Sequence, residues 1–366
     1  MNLQITVKMI LVMFLLCSGL SDFTFGSNRL RVFRFPDNEN EPDWDGALSE
    51  CNKANESFVT LYDEEDANFV ANFSDGKQRL WLGLRKGRNI TWSDGVPVTF
   101  NATYEIEKAG TQICVAIDNN TWTSLNCSER KPFMCNKDGN YTLYEDEKNW
   151  CKALQYCRHF SADLVSISNE SQNDEVIKKG NNTSFWIGLM HDEWEWADKS
   201  CSLYRNWDTE SALLDPIEKC TISTALGLLK NQECPNSQAF SFCSKGKTRI
   251  RVIDHHLTWE RAFDYCKANH TGMLQIENEN DQKAVEQWLN NTDVTGPFWI
   301  GLRQSRVFGF WIWRDRTVTY SKWKNGTEPK LPMSNHCGAI NQTEWSDEHC
   351  WRRLPFLCEE KIIFMN

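Results

Sequence analysis

The chain has 366 residues, 50 acidic against 40 basic side chains, a net charge of −10 and a quarter of its residues charged. At roughly 100 to 200 residues per domain, two or three domains fit. The acidic balance argues against nucleic acid or an anionic membrane as the main partner, because counterion release needs a basic face, and it makes polyanions poor default ligands.

Residues 1–20, MNLQITVKMILVMFLLCSGL, place Lys8 ahead of an apolar core from Met9 to Leu16 and then small residues, the layout of a secretory signal peptide. A membrane span needs about 20 apolar residues, roughly twice that core, so an uncleaved signal anchor is the lesser alternative. No second apolar run follows, and the tail KIIFMN is too short to span or anchor. A soluble, secreted, extracellular chain without stable membrane insertion is expected. Of the 15 cysteines, Cys17 lies in the leader, and the even remainder can close into disulfides in an oxidising compartment. Asn-X-Ser/Thr acceptors at Asn55, Asn72, Asn89, Asn140, Asn169, Asn269, Asn325 and Asn341 point to a glycoprotein surface.

The same elements then recur three times. Trp44, Ala47 and Cys51, then Trp150, Ala153 and Cys157, then Trp259, Ala262 and Cys266 share the spacing W-x-x-A-x-x-x-C. Steps of three and four place these side chains on one helix face, the small Ala permitting close approach. An apolar stretch follows each helix, Phe58–Leu61, Leu164–Ile167 and Met273–Ile276. It marks a helix-to-helix connection, because acids at Glu64-Glu65-Asp66, at Glu170 after Asn169, and at Glu277 and Glu279 around Asn278 open a second helix. Trp81-Leu-Gly-Leu84, Trp186-Ile-Gly-Leu189 and Trp299-Ile-Gly-Leu302 predict short buried strands whose glycine admits close backbone contact. Tryptophans return at Trp92, at Trp194 and Trp196, and at Trp311 and Trp313, and each copy ends on late cysteines, the last at Cys135, Cys243 and Cys358.

This series of motifs resembles the C-type lectin-like domain, three times in tandem, in the manner of secreted multi-domain C-type lectins of the macrophage mannose receptor type. The resemblance implies an α+β fold for each repeat, with two helices, two small antiparallel sheets and a long loop, over residues 30–136, 139–244 and 248–360. Tyr141–Tyr144 and Arg249–Ile253 would open the second and third units. The family's disulfide pattern implies Cys51 with Cys135, Cys114 with Cys127, Cys157 with Cys243, Cys220 with Cys234, Cys266 with Cys358 and Cys337 with Cys350. Cys151 and Cys201 remain and are expected to bridge each other, an intermolecular link through one of them being the alternative.

The resemblance also implies a place for a ligand. Sugar-binding members hold calcium in the long loop on a Glu-Pro-Asn or Gln-Pro-Asp cis-proline turn, an acid ahead of the third cysteine, and a Trp-Asn-Asp element. The third unit keeps Glu328-Pro329, Trp345 and Asp347, with Lys330, Asn335 and Ser346 where the family has Asn, an acid and Asn. Calcium takes about six to eight oxygens, and an ammonium group in its place repels it; Lys330 paired with Glu328 or Asp347 would substitute for the ion. A loop without calcium is therefore expected, so that no cofactor is assigned. Glu328, Asn335 and Asp347 are the calcium ligands of the alternative, and Glu328, Lys330, Asn335, Ser346 and Asp347 are the candidate ligand-binding residues. In the second unit Glu210 and Glu218 have no such turn beside them, and Leu229-Lys230-Asn231 replaces the tryptophan element. The first has Trp122-Thr123-Ser124 there and Tyr104–Ala109 at the turn.

Asp254-His255-His256 and Asp347-Glu348-His349 carry ligand-type residues but lack the spacing of a zinc site. No nucleophile motif or phosphate loop occurs, so no enzyme is expected. Most tryptophans occupy repeated core positions; Trp207, Trp288 and Trp323 do not, and stand as candidates for exposed stacking surfaces. Two functions follow: carbohydrate binding through the third loop, the family expectation, and calcium-independent binding of a protein or glycoprotein by the array. A role in innate immune recognition would rest on family analogy alone.

Overall fold

The computed structural model describes residues 29–36, 41–74, 76–77, 79–100, 112–208, 219–314 and 316–365. The expected leader, the 104–109 turn, Glu210 and Glu218 lie outside them. Three helix pairs run along the described chain: α1 (Trp44–Lys53) and α2 (Glu64–Phe73), α3 (Trp150–His159) and α4 (Glu170–Gly180), α5 (Trp259–Asn269) and α6 (Glu279–Asn290). Asp63, Asn169 and Asn278 start the second helix of each pair as side-chain caps, each accepting the amide N–H three residues on at 3.1, 2.9 and 3.0 Å. The predicted Trp, Ala and Cys faces of α1, α3 and α5 are buried.

Each repeat is closed by two tryptophans that exchange hydrogen bonds between helix and strand. The indoles of Trp44, Trp150 and Trp259 donate to the carbonyls of Leu82, Ile187 and Ile300 at 3.0, 2.8 and 2.9 Å. In return Trp81, Trp186 and Trp299 donate to the carbonyls of Pro42, Lys148 and Leu257, just ahead of each helix, at 2.9, 3.0 and 2.9 Å. A buried indole N–H without a partner is costly, so this reciprocity fixes both rings while they supply the apolar area of the core. The glycine between them is a close approach. A Cβ on Gly301 would lie 3.0 Å from the Leu274 carbonyl oxygen, to which Gly301 itself donates at 2.7 Å.

The third repeat folds on itself. Thr248–Leu257 pairs antiparallel with Leu354–Lys361, Phe298–Gln304 pairs with His336–Asn341, and Cys266–Cys358 ties helix to final strand. The first two repeats instead exchange halves. Val32–Arg34 and Ser57–Phe58, from the first, pair with Cys243–Lys245 at the end of the second. The first repeat's final strand, Lys131–Lys137, pairs with Asn140–Lys148 and Asp163–Leu164 of the second. Leu80–Trp92 and Phe185–Trp196 run antiparallel across the crossing, Leu84 opposite Trp196 and Trp92 opposite Leu189. One spatial unit is thus residues 30–86 joined to 193–245; the other is the continuous stretch 88–192.

Two of the disulfides differ from expectation for this reason. Cys51 bonds to Cys243 and Cys135 to Cys157, in place of Cys51 with Cys135 and Cys157 with Cys243. The cysteine of the first helix meets whichever final strand packs on it, and that strand comes from the other repeat. The remaining bridges are Cys114–Cys127, Cys151–Cys201, Cys220–Cys234 and Cys337–Cys350.

Turn length in the second repeat favours the exchange. In the third repeat the chain turns back through Ser305–Phe310, pairing Arg303 with Ile312 and Gln304 with Trp311, with Gly309 at φ +76°. Eight residues separate Leu302 from Trp311, but only Met190-His191-Asp192-Glu193 separates Leu189 from Trp194. A two-residue hairpin favours a glycine or Asn-Gly turn, which His191-Asp192 does not offer. The strand therefore runs straight on, and its partner follows.

The third repeat packs on the first through α6. Trp288 stacks on Phe69 with ring centroids 4.2 Å apart, and Gln287 satisfies the edge of the Val32–Arg34 strand, accepting from the Phe33 N–H at 3.0 Å and donating to its carbonyl at 2.9 Å. A charged seam continues this contact: Arg249 meets Asp63 at 2.7 Å, Asp66 at 3.1 Å and Glu360 at 2.9 Å, while Arg29 meets Asp281 at 3.0 Å and Glu359 at 2.7 Å. Among the described residues no helix is long and apolar enough to cross a membrane.

Candidate functional site

The loop of the third repeat lies between the hairpin ending at Trp311–Ile312 and the paired strands His336–Asn341 and Glu344–His349. The strand pairing sets Asp347 opposite Gly338 and Ser346 opposite Ala339. Asp347 bonds within the loop. Its Oδ2 accepts the Asn335 backbone N–H at 2.6 Å, and the Asn335 side-chain amide reaches the Asp347 carbonyl at 3.4 Å. Asn335 and Asp347 are thus brought together, but as partners of each other.

Glu328 and Lys330 are exposed. No ion pair joins Lys330 to Glu328 or Asp347, so the substitution of an ammonium for a cation, expected from sequence, is not the arrangement found. The Lys330 carbonyl instead accepts from the backbone N–H groups of Met333 and Ser334 at 3.1 and 3.2 Å. The Pro329 carbonyl points inward to Trp311 Nε1 at 2.9 Å and Gln304 Nε2 at 3.2 Å. The cis bonds of the described chain are at Gly296–Pro297 and Leu331–Pro332, not at Glu328–Pro329.

The interior of the loop is filled by residues that sequence reasoning passed over. Gln304, 4% exposed, donates to the Gly309 carbonyl at 2.7 Å and accepts from Ser334 Oγ, with His336 Nδ1 3.3 Å away. The residues present do not fit a calcium ion: Lys330 stands where the family has a ligand amide, the cis-proline turn is at Leu331–Pro332 with Leu and Met in place of oxygen-bearing side chains, Asp347 Oδ2 already accepts the Asn335 N–H, and the Gln304 and Ser334 oxygens bond one another. Among the described residues no three His, Cys, Asp or Glu side chains converge as a metal site. Asp254 and His256 lie 3.6 Å apart on the surface, and Glu348 pairs with Arg352 at 2.6 Å.

The outer face of the loop is apolar. Val307 is 82% exposed, Phe308 75% and Met333 87%, with Phe310 and Leu331 partly exposed beside them. The two phenylalanine rings stack at 5.7 Å. The signal was present in the sequence Arg306-Val-Phe-Gly-Phe310, an apolar run where a hairpin tip is ordinarily polar. The tryptophans set apart for possible exposure are placed otherwise: Trp288 and Trp323 are buried, and Trp207 packs on Trp194 at 4.7 Å. The exposed one is Trp351, stacked on His349 at 4.4 Å.

In the second spatial unit Trp122 is buried and donates to Asn173 Oδ1 at 2.9 Å. Leu229-Lys230-Asn231 lies in the strand Leu229–Glu233 of the first. At the crossing, the nearly buried Asp192 accepts from Gln112 at 2.6 Å and pairs with Arg205 at 2.7 Å. Burial lowers the Arg205 pKa more than Asp192 restores it. That pair holds the exchanged strands together and leaves no carboxylate oxygen aimed at solvent.

The three sequence repeats match a known family. The family model described as "Lectin C-type domain" matches residues 40–137, 146–245 and 255–360, one match for each sequence repeat. The secretory phospholipase A2 receptor of Bos taurus is 22% identical over 413 residues, covering 87% of this chain and 28% of that protein. The C-type mannose receptor 2 of Rattus norvegicus is 21% identical over 431 residues, covering 90% and 29%. The chain therefore spans under a third of the length of these curated relatives. Among solved structures, the C-type lectin CEL-I from Cucumaria echinata is 23% identical, covers 33% of this chain and 93% of its own, and superposes with a TM-score of 0.29.

Proposed function

Because the chain belongs to the C-type lectin domain family, with three such domains in tandem, we propose that it is an extracellular, non-enzymatic recognition protein whose third domain binds a protein or glycoprotein partner without calcium. The observation that carries this reading is the exposed apolar face of Phe308, Phe310, Leu331 and Met333, on a loop in which Asp347 Oδ2 and the Gln304 side chain are bonded internally. Exposed aromatics and Met are enriched at protein contacts, and a contiguous apolar patch on a soluble surface marks one. Seven disulfides among the described residues support an oxidising, extracellular setting and a secreted chain.

The test is binding of the full chain to an array of defined ectodomains and secreted glycoproteins, with and without chelator. A chelator-insensitive interaction that Phe308→Asp abolishes is the expected result; calcium-dependent glycan binding lost on Asp347→Ala would overturn it. A glycan reading retains one observation of its own, the exposed Trp351 on His349, since a planar pair of this kind stacks on a sugar ring. Glycan-array binding that Trp351→Ala removes and Phe308→Asp spares would favour it.

A further inference from the structure

A cleft of about 1110 Å³ opens between α3, the end of α5 with the turn that follows it, and the last strand with its tail. It lies far in sequence from the loop of the third domain. Six Arg and Lys side chains line it, Arg130, Lys148, Lys152, Arg158, Lys267 and Lys361, against a single lining carboxylate, Glu360. Glu360 is already held by Lys152 and by Arg249 at 2.9 Å, Arg158 by Asp163 at 2.8 Å, and Lys148 lies 3.8 Å from Asp146. Arg130, Lys267 and Lys361 have no carboxylate within ion-pair distance among the described residues. An acidic protein has thus gathered unneutralised positive charge in one concave place, where field lines concentrate.

The walls are fixed. The Gln155 amide donates to the Lys361 carbonyl at 3.3 Å, the Arg158 guanidinium caps the Phe364 carbonyl, and the Cys201 N–H donates to the Ile363 carbonyl at 2.7 Å. Between the cations lie groups of a second kind: the amides of Asn149 and Gln155, and the rings of Tyr156 and Phe160, the latter 49% exposed.

We propose that this cleft binds an acidic polysaccharide, a sugar chain bearing sulfate or carboxylate groups. Cations take the anionic groups, amides take hydroxyls, and aromatic rings stack on the apolar faces of the sugar rings, a combination that a flat anionic membrane would not engage from within a cleft. The site is independent of the apolar loop face. Asn269, in the acceptor triplet Asn269-His270-Thr271, stands on the rim, so an N-linked chain there would sit beside the cleft.

The experiment is surface plasmon resonance of the full chain, and of its Asn269→Gln variant, against a heparin-derived oligosaccharide, hyaluronan, phosphatidylserine-containing vesicles and a poly-glutamate peptide. Binding to heparin or hyaluronan that weakens steeply between about 50 and 200 mM salt is expected, in wild type or once Asn269 is replaced. Lys267→Glu with Lys361→Glu should weaken it by about a hundredfold, each lost charge-assisted contact being worth about a factor of ten. Lys283→Glu, outside the cleft, and Phe308→Asp should leave it unchanged, with thermal melts confirming that all variants fold. No binding to either polysaccharide, binding untouched by the double reversal, or stronger binding to the vesicles or the peptide overturns the proposal.

Discussion

Replacing Cys51 by Ser distinguishes the exchanged arrangement from three separately closed domains. In the structure the partner left behind is Cys243, 192 residues away, whereas closed domains would leave Cys135. Both Cys51 and Cys243 are fully buried, so the freed thiol is alkylated under denaturing conditions and located by peptide mass spectrometry. The stabilities separate the two arrangements as well. By loop-closure entropy a 192-residue loop is worth about 5 kcal/mol and the 22-residue loop of Cys135–Cys157 about 3 kcal/mol. The closed pairing would make two loops of nearly equal length, worth about 4.5 kcal/mol each. Bridges nested inside the long loop shorten it, so about 5 kcal/mol is a ceiling. Unequal losses for the Cys51/Cys243 and Cys135/Cys157 double variants, together with a free Cys243 in Cys51→Ser, are the expected results. A labelled Cys135 in that variant, or an intact peptide linking Cys157 to Cys243, would refute the exchange.

Three other outcomes follow from particular contacts. Burial would raise the Asp63 carboxyl, but Arg249 and Arg251 outweigh it and hold the group at about 2, below its unfolded value of about 3.9. Its stabilisation is complete above about pH 4 and is lost as pH falls through 2, so the wild-type Tm should drop more steeply over that window than that of Asp63→Asn, which keeps the helix cap; equal slopes would remove the argument. Trp299→Phe leaves the Leu257 carbonyl without its donor and removes part of a fully buried ring, so it should cost more in denaturant unfolding than the ~1 to 3 kcal/mol of the unsatisfied carbonyl alone; a smaller loss would show the hydrogen bond to be incidental. Lys330→Asn alone should confer no calcium binding by calorimetry, because the Asp347 oxygen remains bonded to the Asn335 N–H; saturable binding would show that the lysine was the obstacle.

The helices, the paired tryptophans and the close glycine were legible because each depends on residues near one another in sequence. The W-x-x-A-x-x-x-C spacing puts three side chains on one face whatever that face later meets, and α1, α3 and α5 all bury it. Which final strand meets that face is a different kind of question. Both final strands of the first two repeats carry an apolar run ending in a cysteine, and either satisfies the helix. A turn four residues long in the second repeat bears on the choice, and a missing glycine there carries no weight until the alternative pairing is in view. The loop of the third repeat was legible in outline for a similar reason: Glu328, Asn335 and Asp347 could be aligned with a ligand set, but the hydrogen bond that occupies Asp347 joins residues on two strands, and the glutamine that fills the interior belongs to neither motif.

The basic cleft shows most directly why composition misleads about partners. A net charge of −10 sums over the whole chain, whereas a ligand meets the field of one place, and beyond a Debye length of about 8 Å at physiological salt the remaining charges are largely screened. The lining cations come from segments near positions 130, 150, 267 and 361, none of which is a basic run by itself. They meet because the tail after the final strand turns back, where the Cys201 N–H donates to the Ile363 carbonyl and Ser200 pairs with Phe364. Cys201 is itself bonded to Cys151 on α3, so the contact that seats the tail against α3 also brings Lys361 into the same cleft as Lys152. A polyanion, the poorest ligand by total charge, is for that reason the ligand class to which the local geometry points.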